Sequence, residues 1–489
     1  MLTGTNQVYK HTDSGKTGRY MNIQIDSRKI KPGDTFVALR GIDHDGHAYI
    51  HQAIANGAAK IICEGGSYEA ETCIVKDTRA YLVNYLKDTY YDKISKLKLI
   101  GITGTNGKTT SAFLLHQMLN KLGRKCGYIG TIGFYIGEKI RSLANTTPDI
   151  YDLYNILLQC QSLDCEYVVM EVSSQGIANH RVETLQFDYA VFTNLTQDHL
   201  DFHKTMENYA LAKQQLFHML KPDGKAIVNY DDSYKHYFLL DGNDNVTFGF
   251  TGGDFKMTID AADKCHTDFT VSCPDYTRHF ATNLIGRYNI YNLMTSVIVL
   301  TLEGVSPSDI AKCTTTLVLP KGRTETVLYG NNLIVVDYAH TPDAMEKVFS
   351  AARELTGGAI YAVFGCTGDR DRDKRPKMAQ IACVNAAHVI LTHDDPHNED
   401  QSQIYHDMTD GLPYNNYEIV KSRADAIQKG ISFLKENDIL LILGKGHEEF
   451  ILCQDKRIPF NDMNVVKKCL SSPCRQGIVP SAMPFNRYA

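Results

Sequence analysis

The run KLKLIGITGTNGKTT at residues 96–110 constrains this chain more than any other stretch. Its apolar first half reads as a buried strand, and the glycines Gly101, Gly104 and Gly107 then lead into Lys108, Thr109 and Thr110. Beyond Thr110, the residues Leu115, Met118, Leu119 and Leu122 recur at helical spacing, and Gly123 supplies a stop. Strand, glycine-rich turn and helix are the context that a phosphate-binding loop requires. The glycines let backbone N–H groups turn toward phosphate oxygens and the helix N-terminus adds a favourable dipole. Lys108 can reach the outer phosphates, and a Thr hydroxyl can join a magnesium shell. The generic motif carries a glycine where this chain has Ile102, so the loop is a variant.

A phosphate loop of this kind belongs to a parallel sheet, and further strands follow in CEYVVME (165–171), DYAVFTN (188–194) and KAIVNY (225–230). The carboxyl ends of such strands border one crevice, so Glu171, Asp198 and His199 are expected beside the loop, where Glu171 and His199 could together hold magnesium. Ahead of this unit, TFVAL (35–39), HAYIHQAIANGAA and KIIC (60–63) read as a small α/β domain. Behind it, LPKGR (319–323) marks a boundary. Then LIVVDYA, AIYAVFG, HVILTHDD and DILLILG alternate with helices such as RADAIQKGISFLKE. The expected fold is therefore α/β in three domains. These are an N-terminal α/β domain over 1–95, a central P-loop ATPase-like parallel-sheet domain over 96–321, and a Rossmann-like domain over 322–489. In the last, Asp337, His340, Arg370, Asp394, Asp395 and Lys445 all follow strand ends and suggest a ligand-facing rim.

The length of 489 residues agrees with three domains at roughly 100 to 200 residues each. With 51 Lys+Arg against 56 Asp+Glu, the net charge of −5 argues against a nucleic acid or a membrane surface as the main partner. The 13 cysteines are odd in number, scattered, and never spaced Cys-x-x-Cys, which points to reduced thiols. The start, MLTGTNQVYKHTDS, has no apolar stretch that could act as a signal peptide, and no apolar run reaches the roughly 18 residues needed to span a bilayer. A cytoplasmic protein is expected. The final SSPCRQGIVPSAMPFNRYA has no periodicity and reads as a loose tail.

Taken in order, the motifs resemble the Mur ligase family, and within it the MurE type, which adds the third amino acid to UDP-N-acetylmuramoyl-L-alanyl-D-glutamate. The resemblance runs through DSR at Ser27, GTNGKTT, NTTPD at Asn145, EVSSQG, TNLTQDHLDFH, YALAKQQLF, GRYNIYN, GRTE, DYAHTPDA, GDRDRDKRP, DDPHNED and GKGHE. It implies a cytoplasmic, bacterial, ATP-dependent amide ligase of peptidoglycan synthesis, expected to be a monomer acting on small-molecule substrates. The γ-carboxylate of the D-glutamate would attack the γ-phosphate of ATP, and the incoming amine would open the acyl phosphate. Lys108, Glu171, His199 and Lys213 would be catalytic. Two magnesium ions would be held by Thr109 and Glu171, and by His199 with Lys213, which falls where the family carries a carbamylated lysine. ATP would lie against Gly104, Thr105, Asn106, Gly107, Lys108, Thr109 and Thr110, with Asn289 and Asn292 at the adenine and Arg323, Asp337 and His340 at the ribose and phosphates. The UDP-sugar dipeptide would meet Ser27, Asn145, Thr146, Thr147, Ser173, Asn179 and Arg181; Asn179 and Gln175 stand where the family carries Gln and His.

The amino acid would lie among Arg370, Asp394, Asp395, Pro396, His397, Gly444 and Glu448. Ligases that add meso-diaminopimelate carry Asp-Asn-Pro-Arg, whose arginine grips the distal carboxylate at two points. Here the motif is Asp394-Asp395-Pro396-His397. Losing Arg and gaining Asp395 would make the pocket more acidic, so L-lysine is expected, with meso-diaminopimelate or ornithine as the alternative. Two more distant readings are a folylpolyglutamate-synthase-like ligase, which lacks the DDPHNED feature, and a nucleotide switch that ligates nothing. The absence of an Asn-Lys-x-Asp guanine signature tells against a GTP switch.

Overall fold

The computed structural model describes residues 20–41, 45–242, 244–454 and 456–471. The N-terminal MLTGTNQVYKHTDS and all but the first residue of the expected tail lie outside the described residues. By contacts the described chain falls into two compact units, one made of the residues up to Lys96 with Ile150–Asp164, the other of Leu97–Asp149 and the residues from Cys165 on.

The first unit is built on a parallel sheet of β1 (Ile23–Gln24), β2 (Thr35–Val37), β3 (Lys60–Cys63) and β4 (Glu71–Ile74), in that spatial order. Helix α1 (Ile50–Ala55) buries Ile50 and Ala53 against Phe36, Ile61 and Cys63. Helix α2 (Thr78–Ile94) starts where the Asp77 side chain accepts from the Ala80 N–H, and it buries Leu82, Val83, Leu86, Tyr90 and Ile94 along one face. Helix α4 (Ile150–Ser162) packs on α2, and its Tyr151 hydroxyl donates to the Ile23 carbonyl at 2.8 Å.

In the second unit, β5 (Lys98–Thr103) is an interior strand of an 11-stranded sheet. Leu99, Ile100 and Ile102 are buried in it, the apolar pattern of a strand covered on both faces. The glycine turn leads into α3 (Lys108–Lys121), whose Leu114, Leu115, Met118 and Leu119 are all buried, at about 1.5–3 kcal/mol each. Next come the antiparallel β6 (Cys126–Gly130), β7 (Gly133–Ile136) and β8 (Glu138–Arg141). The strands β9 (Tyr167–Glu171), β10 (Phe187–Phe192), β11 (Leu220–Asn229) and β12 (Asn245–Gly249) continue the parallel core, with helices α5 (Ser174–Ala178), α6 (Leu200–His203) and α7 (Met206–His218) between them. The sheet then goes beyond the all-parallel expectation. β13 (Phe255–Ala262), β14 (Thr267–Ser272) and β15 (Thr277–Thr282) run antiparallel to one another on one edge, as β6 to β8 do on the other. Each such strand needs only a tight turn, whereas a parallel neighbour needs a long crossover. Helix α8 (Arg287–Leu302) is buried along almost its whole length and packs on α3; α9 (Pro307–Thr314) follows it.

The registers explain why the expected groups meet. Ile102 of β5 pairs with Glu171 of β9, and Thr103 pairs with Phe192 of β10, so the phosphate loop, Glu171 and the segment after Phe192 leave the sheet along one edge. The strand order reverses at β5, which is where an open α/β sheet binds its ligand.

A six-stranded sheet follows, with β16 (Glu325–Tyr329), β17 (Asn332–Asp337), β18 (Ile360–Phe364), β19 (His388–Leu391), β20 (Tyr417–Ile419) and β21 (Ile439–Leu443) in the order β16-β17-β21-β18-β19-β20. All but β16 are parallel. Helices α10 (Pro342–Leu355), α11 (Lys374–Asn385), α12 (Gln401–Thr409), α13 (Arg423–Phe433) and α14 (Asp462–Ser471) cover it, and β22 (Phe450–Cys453) with β23 (Lys456–Pro459) forms a separate hairpin. Asp337 and Phe364 both pair with Leu443, which brings three strand ends to one rim. The 12 described cysteines are unbridged. No helix among the described residues is long and apolar enough to cross a membrane.

Candidate active site

Four hydrogen-bond donors converge on the Glu171 carboxylate at the end of β9. Oε1 accepts from the Tyr128 hydroxyl at 2.5 Å and the Thr131 N–H at 2.8 Å, and Oε2 accepts from the hydroxyls of Thr109 at 2.8 Å and Thr131 at 3.1 Å. The group is fully buried, and these donors replace the water that its oxygens have lost. The loop around it is set by backbone space. Gly107 has φ 86°, and a Cβ there would fall 2.3 Å from Asn292 Oδ1, so both the conformation and the close approach require glycine.

Lys108 and Lys213 meet at a single carbonyl. Lys108 Nζ donates to the oxygens of Gly104 at 2.8 Å and Thr105 at 2.9 Å, and Lys213 Nζ, reaching in from α7, donates to the same Gly104 oxygen at 2.8 Å. Lys213 is 1% exposed and lies over the Tyr209 ring at 4.5 Å, so it is no helix-surface lysine. Burial, and then the charge of Lys108, hold its ammonium well below the usual lysine range. His199 lies within electrostatic reach of both ammoniums, and its Nε2 is 3.5 Å from Asp198 Oδ2. Burial pushes the Asp198 carboxyl up, but His199, His340 and Lys374 outweigh it and hold the group below its ordinary value.

A cavity of about 500 Å³ opens from the loop toward the C-terminal sheet, lined by Asn106, Gly107, Thr110, Asn289, Asn292, Arg323, Asp337 and His340 among the expected residues. Asn289 and Asn292 are hydrogen-bonded to each other at 3.2 Å. The Arg323 guanidinium stacks 4.2 Å from the Tyr338 ring, and Nη2 reaches Thr109 Oγ1 at 3.5 Å. Both Asp337 oxygens are already used, by the N–H groups of Thr324 and Ala339. Burial lowers His340 to about 4, which leaves a neutral ring whose Nδ1 is 2.7 Å from the Tyr338 carbonyl.

Thr146, Thr147, Ser173 and Arg181 gather at the same sheet edge. Thr146 Oγ1 is 3.0 Å from Thr131 Oγ1, Thr147 Oγ1 bonds the Glu171 carbonyl at 3.0 Å and accepts from the Ser173 N–H at 2.9 Å, and Arg181 Nη1 donates to the Thr147 carbonyl at 2.9 Å. Asn145 is exposed, and the Asn179 amide turns back onto the Gln175 carbonyl. Ser27, in the first unit, is buried and donates to Gln52 Oε1 at 2.8 Å.

On the C-terminal rim, the Lys445 ammonium is enclosed by three acids. Nζ lies 2.7 Å from Asp395 Oδ1, 2.7 Å from Glu448 Oε2 and 3.8 Å from Asp394 Oδ1. These carboxylates are close enough together to suit a metal ion, but here an ammonium sits among them. Burial pushes the Glu448 carboxyl up, against the pull of Lys445. Asp395 Oδ1 also accepts from the Leu452 N–H at 2.9 Å. The charge that Asp395 was expected to add to the pocket is therefore spent on Lys445 and the Leu452 N–H, and it no longer favours L-lysine. Gly444 has φ 106°, and a Cβ there would fall 2.7 Å from Asp394 Oδ2. Pro396 is buried, His397 has φ 50° and is tied to the β22 hairpin, and Arg370 is exposed.

Three consecutive family models match the sequence: the Mur ligase family catalytic domain over residues 19–88, the Mur ligase middle domain over 102–300, and the Mur ligase glutamate ligase domain over 322–446. The chain belongs to the Mur ligase family. Among its relatives, the UDP-N-acetylmuramoyl-L-alanyl-D-glutamate–2,6-diaminopimelate ligase of Clostridium botulinum is 40% identical over 460 residues, covering 92% of this chain and 94% of that protein. A solved structure of a UDP-N-acetylmuramoyl-L-alanyl-D-glutamate–2,6-diaminopimelate ligase is 30% identical with a TM-score of 0.65, covering 92% of this chain and 94% of that one. The MurF ligase of Thermotoga maritima in complex with ADP, at 21% identity, 86% and 93% coverage and a TM-score of 0.65, shares the fold. These relatives favour the diaminopimelate alternative over the expected L-lysine.

Several residues of this Mur ligase site escape sequence reasoning. Tyr128 and Thr131 bind Glu171, Asn194 Oδ1 accepts from the Asn106 N–H at 2.9 Å, and Asp343 Oδ2 accepts from the Asn106 amide at 2.8 Å. Thr131 and Asn194 had a usable signal, because each follows the end of an apolar strand. Tyr128 had none, since it lies within one.

Proposed function

We propose that this Mur ligase joins meso-diaminopimelate, as the third residue, to UDP-N-acetylmuramoyl-L-alanyl-D-glutamate at the expense of ATP. Residues 1–95 would anchor the UDP-sugar, 96–321 would bind ATP, and 322–489 would deliver the amino acid. The observation that carries the reading is the meeting of Lys108, Lys213 and Glu171 at the switch point of a nucleotide-binding sheet. The diaminopimelate ligases among its relatives supply the substrates.

A carboxylate is a poor electrophile and must be activated. In the first step an oxygen of the γ-carboxylate attacks the γ-phosphorus and the bond to ADP breaks. In the second the amine attacks the acyl carbon, the C–O bond to phosphate breaks, and the ammonium proton is lost to solvent. Lys108 and the loop amides would meet the growing negative charge, and Arg323 would hold the phosphates. Thr109, Glu171, His199 and Lys213 would hold magnesium, which when bound neutralises phosphate and carboxylate charge.

Two ammoniums beside a cation site repel the ion, and this is the fit problem that a carbamate on Lys213 resolves. The uncharged amine adds to CO2 and releases a proton, turning a cation into an anion with two oxygen donors. The burial that lowers the pKa of Lys213 enlarges the uncharged fraction that can react.

The function is tested by ADP release with the UDP-dipeptide and each of meso-diaminopimelate, L-lysine and L-ornithine. Turnover with diaminopimelate is expected, and turnover with L-lysine alone would overturn the assignment. Asp395→Asn is expected to leave the preference unchanged. The amide oxygen can still accept from Lys445 and Leu452, so stability should fall by no more than about 1–3 kcal/mol for the weakened charge pair. A switch of amino acid in that variant would return Asp395 to the substrate.

A further inference from the structure

The Glu171 carboxylate has one partner that sheet packing alone does not require. Tyr128 lies on β6 with its ring packed against Phe113, Tyr135 and His116, at centroid distances of 5.7, 5.6 and 6.2 Å. A phenylalanine would fill that aromatic cluster equally well. The hydroxyl is the part that reaches the site, 2.5 Å from Glu171 Oε1. Its access depends on Gly130, where a Cβ would fall 2.1 Å from Oε1 and 2.4 Å from the Tyr128 oxygen.

The two carboxylate oxygens are held in different ways. Oε1 is bound by a hydroxyl mounted on a buried ring and by the Thr131 backbone N–H, and neither donor can swing away. Oε2 is bound by two threonine hydroxyls, from Thr109 and Thr131, and each has a second partner, Arg323 Nη2 at 3.5 Å for Thr109 and Thr146 Oγ1 at 3.0 Å for Thr131. A carboxylate oxygen accepts about two bonds in its plane, so Oε1 is saturated by fixed groups. Oε2 is the oxygen that can be released to a cation.

We propose that Tyr128 is a positioning residue for the metal site: by anchoring Oε1 it presents Oε2 of Glu171, beside Thr109, to magnesium. This rests on the reading above that Glu171 meets the ion. Partners that orient a metal ligand commonly change metal affinity about 10- to 100-fold when removed. A hydroxyl that merely satisfies a buried acid would change stability and leave metal affinity alone.

The test uses the full chain with ADP and Mn2+ as an ion visible by electron paramagnetic resonance, comparing wild type, Tyr128→Phe and Glu171→Gln. Tyr128→Phe is expected to raise the Mn2+ Kd about 10-fold at unchanged stoichiometry. The Mg2+ concentration for half-maximal ligation should rise in parallel, with the KM for the diamino acid unchanged. Glu171→Gln is expected to weaken Mn2+ binding further. If Glu171→Gln weakens binding and Tyr128→Phe binds as wild type does, the inference about Tyr128 is overturned. If Glu171→Gln itself binds as wild type, the Glu171–metal reading fails. Should Tyr128→Phe not fold, 3-fluorotyrosine placed at 128 gives a second readout. Its 19F resonance should move on adding Mg2+ with ADP and stay in place in Glu171→Gln; a resonance that never moves overturns the proposal.

Discussion

Lys213→Ala is expected to lower ligation by at least about 10²- to 10³-fold, the scale seen when one electrostatic contact to a transition state is lost. The fold and the nucleotide cavity should survive, because among the described residues Lys213 caps no helix and joins no apolar core cluster; it bonds the Gly104 carbonyl and lies over the Tyr209 ring. Two accounts of the residue can be separated. If Lys213 acted as a cation, Lys213→Arg would preserve the charge and much of the activity. If it acts as a carbamate, Lys213→Arg is as inactive as Lys213→Ala, and short carboxylic acids should restore part of the activity to the alanine variant. Removing dissolved CO2 and bicarbonate should also lower wild-type turnover reversibly. The adduct can be lost in mass spectrometry, so 13C NMR after labelled bicarbonate is the suitable measurement. Full activity in Lys213→Ala would contradict the mechanism.

Arg423→Met should produce the largest loss of stability. Arg423 is 2% exposed, and its Nε and Nη2 donate to the two Asp462 oxygens at 2.7 and 2.8 Å, while Nη2 also bonds the Leu443 carbonyl at 2.9 Å. The pair pins α13 and α14 to the rim that carries Gly444 and Lys445. Methionine leaves Asp462 charged in a fully buried position, and breaking such a pair costs about 3–5 kcal/mol. In urea unfolding, the transition of the C-terminal sheet should move to lower denaturant. Arg423→Met combined with Asp462→Leu should recover much of the loss, because the stranded charge is gone. A single variant as stable as wild type would show that Asp462 finds another partner or a proton.

The phosphate loop could be read from the sequence because three local signals agree there: a strand covered on both faces, glycines that must turn, and a helix with one apolar stripe. The same logic located Glu171 and His199, since strand ends of a parallel sheet share an edge whatever the details of packing. It could not supply the antiparallel strands β13 to β15. Their outward faces are polar, as the alternation in FKMTIDAA shows, and a short two-faced strand gives a weaker signal than a buried one.

The limits at the site have the same origin. Nothing local in the sequence says that α7 turns Lys213 inward rather than onto the helix surface, and only the family resemblance singles it out. Asp395 looked like a free charge for the substrate, yet its partner Lys445 lies 50 positions away and only the fold brings them to 2.7 Å. Tyr128 sits within an apolar strand, and its role depends on which of its atoms reaches the neighbouring strand end. Pairings of this kind arise from register between distant segments, which hydrophobic pattern constrains by face but not by partner.

The central claim, that the chain activates a carboxylate with ATP for attack by an amine, has a direct isotopic test. UDP-N-acetylmuramoyl-L-alanyl-D-glutamate carrying 18O in both γ-carboxylate oxygens is incubated with ATP, Mg2+, meso-diaminopimelate and the enzyme, and the phosphate and the product are weighed by mass spectrometry. The account expects one 18O in each phosphate released and one retained in each new amide. Phosphate without 18O, released whether or not amide forms, would contradict it.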